Sequence, residues 1–103
     1  MPNDTAAKPA APEDLWRLRT SLDNIDTALI AMLAERFRVT REVGQLKARH
    51  RLDAVDVARE EAKVARLRET AARAGLDEDF AEEFIRRVMA EVVRQHRIIA
   101  EKG

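Results

Sequence analysis

Along the first half of the chain, Leu15, Leu18, Leu22, Ile25, Leu29, Met32, Val39, Val43 and Leu46 follow one another at helical intervals, with Arg36 standing where the series calls for one more apolar residue. Steps of three and four residues place side chains on one face of an α-helix. From Glu13 the pattern holds for roughly 37 residues, which is about 55 Å of helix at ~1.5 Å per residue. No proline and a single glycine, Gly44, fall inside it, and Pro12 suits its first turn, where a missing N–H costs nothing. The period is lost from Arg49 to Val55. Asp53 or Asp56 can then cap a second helix, which Gly75 ends after Ala74. Its apolar stripe is thin, comprising Val57, Val64, Leu67 and Ala71, and Glu60 and Glu61 lie in the first turn, where the helix dipole favours them. Asp77 caps a third helix with Phe80, Phe84, Val88, Val92 and Ile99 on one stripe and Ile85, Met89 and Val93 beside it. Nothing alternates with period two and no Asn-Gly turn occurs. The pattern predicts an all-α fold, a three-helix protomer with one very long first helix.

Helices of about 37, 18 and 23 residues pose a packing problem, because two short helices cover one side of the long one and leave apolar surface bare. An intertwined homodimer, with the long helices paired along their seams, solves it; a monomeric bundle with a bent first helix is the competing arrangement.

Composition narrows the chemistry. At 103 residues the chain makes one domain, residues 13–103, preceded by a flexible tail over residues 1–12. Its 19 basic and 19 acidic residues cancel, so no global field draws it to nucleic acid or to anionic membrane, and any anion binding must be local. Cysteine is absent, which excludes disulfides and thiolate metal sites and suits a reducing cytoplasm. The longest apolar run, Ala28 to Ala34, is too short to span a bilayer, and the first dozen residues lack the basic start and apolar stretch of a signal peptide. The expectation is a soluble cytoplasmic protein.

His50 and His96 are the only histidines and neither lies in a metal-binding pattern; the three glycines form no phosphate loop. Neither metal nor cofactor is expected. What stands out is the far end of the first helix, where Arg36, Arg38, Arg41, Lys47, Arg49 and Arg51 face the lone acid Glu42. Such a run is commonly a solvated face. Arg36 and Lys47, however, are separated by three full turns and project from nearly the same, apolar side. A guanidinium there needs an anion, supplied either by an internal carboxylate or by a ligand. Two cations in an apolar groove suit a small, multiply charged anion, since low dielectric strengthens each contact. Arg19 is turned about 100° from Arg36 on the same helix, so it serves such a pocket more readily across a dimer.

The stretch LRTSLDNIDTALIAMLAERFRVTREVGQLK, followed by a short loop and DVARE, resembles the all-helical class of chorismate mutase. Ala-Glu-Arg, then Gly-x-x-Lys, then Arg-Glu, in that order and spacing, carry the resemblance over about Leu15 to Ile99. It implies an intertwined homodimer with two active sites that converts chorismate to prephenate without metal or cofactor. By the same resemblance, Arg36 holds a substrate carboxylate within the subunit and Arg19 holds one in trans. Lys47 matches the lysine that reaches a carboxylate and the ether oxygen. Asp56, Arg59 and Glu60 lie near the substrate ring, with Glu60 accepting from the ring hydroxyl; Asp56 is equally a plain helix cap, and the two roles are compatible.

One position departs from the family pattern. Where the third helix ordinarily carries a small polar residue and, four residues on, a glutamine facing the ether oxygen, ungapped continuation puts Val92 and His96; a one-residue slip puts Glu91 and Gln95 there. A histidine still donates a hydrogen bond at that place, and the other reading of His96 is a polar residue near a helix end. Two rival functions share the pattern: isochorismate pyruvate lyase on the same scaffold, and a non-catalytic helical interaction module whose Arg36 pairs with an internal acid.

Overall fold

The computed structural model describes residues 12–53 and 55–102, and within them the chain is three helices in the order α1 (Pro12–Arg49), α2 (Val57–Ala74) and α3 (Glu78–Lys102). No strand occurs among the described residues. The expected tail lies outside them, except for Pro12, which opens α1.

The helices start and stop for local reasons. Asp56 stands extended before α2 (φ −125°, ψ 96°) and its carboxylate accepts the Arg59 N–H at 3.0 Å; of the two candidate caps it is therefore the one used. Asp77 does the same for α3, accepting the Phe80 N–H at 2.8 Å. Gly75 closes α2 in the left-handed region (φ 77°), with the Leu76 N–H reaching back to the Ala71 carbonyl at 2.8 Å. α1 closes by the same hydrogen-bond pattern, Leu52 N–H to Lys47 carbonyl at 2.8 Å and Arg51 N–H to Ala48 carbonyl at 3.3 Å. There the left-handed position (φ 56°) falls to Arg51, a residue with a Cβ.

By its contacts the chain divides into two compact units, Met1–Arg36 and Phe37–Gly103. The described part of the first is helix alone, and Leu15, Leu18, Leu22, Ile25, Leu29 and Met32 are all exposed on it. In the second, α2 and α3 pair around Val64, Ala71 and Val88, which are only 4%, 4% and 7% exposed. Leu67, Ala81, Ile85, Met89 and Val92 are half-buried, so the buried stripe of α3 is centred on Val88. Phe80 and Phe84, expected on that stripe, instead stack on each other on the outside with ring centroids 6.5 Å apart. Ion pairs run alongside the α2–α3 seam. Arg68 reaches Glu82 at 2.8 Å and Asp79 at 3.1 Å, while Arg86 reaches Glu82 at 2.8 Å and Glu61 at 3.2 Å. The Glu82 carboxyl, held by Arg86 and Arg68, titrates below the usual carboxylate range.

Candidate functional site

Arg36 is half-buried, and its Nη1 is buried with no hydrogen-bond partner. It makes no ion pair among the described residues, so the internal-acid alternative finds no partner there. An unpaired buried guanidinium nitrogen costs on the order of several kcal/mol, and an anionic ligand removes that cost. Arg19, on the same helix, is exposed.

In the second unit the remaining candidates come from three places. Lys47, half-buried, sits in the last turn of α1, its carbonyl fixed by the Leu52 N–H that closes the helix. Asp56, Arg59 and Glu60 occupy the cap and first turn of α2; Asp56 is engaged with the Arg59 N–H, Arg59 is exposed and Glu60 half-buried. Val92, Gln95 and His96, all half-buried, lie on α3.

The two registers considered for α3 are used differently. Gln95 donates to Glu91 at 3.1 Å on its own helix, and Arg94 grips the same carboxylate at 2.6 Å and 2.9 Å. Arg94 first, and Gln95 second, pull the Glu91 carboxyl down to about 2. His96 instead reaches α1, its Nε2 lying 3.1 Å from the Thr40 carbonyl oxygen. Because a carbonyl only accepts, Nε2 carries the proton.

Thr40 and Gly44 complete this contact; the sequence shows Gly44 as the glycine of Gly-x-x-Lys, and neither residue was expected in the site. A Cβ on Gly44 would lie 2.7 Å from Cε1 and 2.9 Å from Nε2 of His96, closer than such atoms approach, and a tight 3.1 Å from its Nδ1. The imidazole thus lays its face, at Cε1, over bare backbone. A mid-helix glycine costs about 1 kcal/mol against alanine, and its place inside a long uninterrupted helix is the sequence signal of a close approach.

The helices define the class of the protein: an all-α chain with half-buried candidates at Arg36 and Lys47 of α1, at Glu60 in the first turn of α2, and at Val92, Gln95 and His96 in the second half of α3. Residues 18–97 match the family model for chorismate mutase type II, and the chain belongs to that family. It is 37% identical over 78 residues to the T-protein of Enterobacter agglomerans, an alignment covering 76% of this chain and 21% of that one. The T-protein of Haemophilus influenzae is 35% identical over 79 residues, covering 77% and 21%. The chain therefore spans about a fifth of the length of these curated relatives. The matches favour neither the lyase nor the non-catalytic module.

Proposed function

We propose that the chain is a chorismate mutase, an isomerase of phenylalanine and tyrosine biosynthesis, acting as a cytoplasmic homodimer and needing no cofactor. The observation that carries this reading is the Arg36 guanidinium, buried at Nη1 and unpartnered, within the helix that holds Lys47 in its last turn. It asks for an anion, and family membership supports reading that anion as the dicarboxylate chorismate.

In the rearrangement one carbon–oxygen bond of chorismate breaks as one carbon–carbon bond forms in the same molecule. Product and substrate are isomers and no proton moves, so general acid and base groups are unnecessary. Catalysis consists of holding the flexible dianion in its compact reactive shape and stabilising negative charge on the ether oxygen. Arg36 and the partner subunit's Arg19 hold carboxylates. Lys47 bridges a carboxylate and the ether oxygen, Arg59 adds positive charge, and Glu60 accepts from the ring hydroxyl. Asp56 stands near the ring while capping α2, and Val92 lines the α3 side. His96 is the α3 donor to the ether oxygen, a reading supported by its approach to α1, whereas Gln95 is engaged with Glu91.

The exposed seam of α1 supports the dimer, since no residue of that helix is buried in the single protomer. Arg19 in trans further requires the helices to run antiparallel. In a parallel pair Arg19 would face the partner's own equivalent position, about 25 Å short of Arg36 at ~1.5 Å per residue. An antiparallel pair crossing near the middle of α1 brings opposite ends together twice, giving two identical sites.

The test is to mix the purified protein with chorismate and identify the product while following ultraviolet absorbance. Prephenate is expected; chorismate left unchanged would overturn the assignment, and salicylate and pyruvate formed from isochorismate offered separately would then mark the lyase.

A further inference from the structure

Gly44 has no role in the chemistry above, yet the His96 ring of α3 lies where its Cβ would be. The nearest atoms to its absent Cβ are all on the His96 imidazole, at 2.7 to 3.1 Å. That ring is anchored by donation from Nε2 to the Thr40 carbonyl. Thr40 lies inside α1, so its carbonyl also serves as the helical acceptor for the N–H four residues on, which is that of Gly44. The bond to His96 is a second, expendable one: breaking it strands no backbone group. Lys47 stands three residues further along the same helix, less than one turn from Gly44.

Resting on the mutase reading, we propose that Gly44 is a specificity-determining residue that sets the depth of the substrate's ring pocket. The space over its bare Cα, occupied by the His96 imidazole, is the space a ligand's six-membered ring takes when Lys47 holds its carboxylate. Imidazole and a cyclohexadiene ring are of similar thickness, and both are slabs that only a residue without a side chain admits so close to a helix. As the ligand enters, His96 leaves the Thr40 carbonyl and its Nε2–H becomes available to a ligand oxygen. One residue thus covers Gly44 and, once displaced, donates to the ligand.

The test compares chorismate turnover in the full chain, Gly44→Ala, His96→Ala and the double variant, with thermal melts of each. Gly44→Ala should melt no lower than wild type, because alanine favours the helix and the clash is with a side chain that can rotate away. Its KM for chorismate should rise about tenfold or more, the scale of one misplaced methyl in a pocket. The same rise should appear when Gly44→Ala is added to His96→Ala, a background that removes the atoms nearest the new methyl. A KM within twofold of wild type would overturn the proposal. So would a methyl that is harmless once His96 is gone, since Gly44 would then serve only to seat the imidazole, and so would a loss of activity matched by a lowered melting temperature in both backgrounds. Wild-type protein that leaves chorismate unchanged would instead fail the mutase reading itself, a separate outcome seen before any variant is made.

Discussion

Two cations and one strained residue define the end of α1. Lys47 is assigned to the oxygen on which charge grows, so Lys47→Ala should keep its helical circular dichroism and lose roughly 10²- to 10³-fold in turnover; near-normal turnover would remove the lysine from the site. Four residues on, Arg51 holds a left-handed backbone (φ 56°) that costs a residue with a Cβ about 1–2 kcal/mol. Gly75 solves the same geometric problem at the end of α2 without that cost. Arg51→Gly should therefore raise the thermal stability by up to about 1 kcal/mol, and Gly75→Ala should lower it by a similar amount; the reverse order in thermal melts would contradict the account. At this scale the sequence was informative about Arg36 and Lys47, because a charge on an apolar stripe violates a simple periodicity. It assigned no role to Thr40, and it marked Gly44 without showing what approaches it. A backbone carbonyl has no sequence signature, and a glycine shows a close approach only when the approaching ring is known.

The elements themselves were legible because each carries its own start and stop. Asp56 and Asp77 cap, Gly75 ends, and the structure uses all three for those purposes. The face of α3 was harder to read. Phe80 and Phe84 are its largest apolar side chains but stand outside, while α2, narrow and rich in small residues, buries the stripe around Val88. Periodicity identifies an apolar arc, and the partner's width decides which part of it is covered. Charge along α3 makes a prediction about acid. The Glu91 carboxyl is drawn from 4.5 down to about 2 by Arg94 and then Gln95, and Glu82 is lowered by Arg86 and then Arg68. A carboxyl whose folded value lies below its unfolded one contributes stability that is complete above the unfolded value and lost as pH falls through the folded one. Melting temperature should thus fall between pH 4.5 and about 2. Glu91→Gln should melt lower than wild type at neutral pH and converge with it at the acid end; added salt should shrink the difference, since Arg94 is exposed and Glu91 only half-buried. Parallel pH curves for the two proteins would contradict the assignment.

For the whole molecule, the central claim is that one protomer is half of a working enzyme. The proposed partner follows from the sequence pattern, because a helix of this length carries more apolar surface than two short helices cover, and Ile25 is 61% exposed on the seam. Ile25→Arg should give a helical monomer by analytical ultracentrifugation, without turnover; an active dimer would place the interface elsewhere. What the sequence could not supply is which residues cross that interface, since helical rotation separates Arg19 from Arg36 without saying where Arg19 goes. The most direct measurement is complementation between two dead variants, Arg19→Ala and Arg36→Ala, co-expressed in equal amounts. If Arg19 acts in trans, each mixed dimer has one site with both arginines and one with neither. Half of the dimers are mixed and half of their sites are intact, so about a quarter of wild-type activity should return. If both arginines serve the same subunit, every site carries a lesion, and activity that stays at the level of the separate variants would contradict the account.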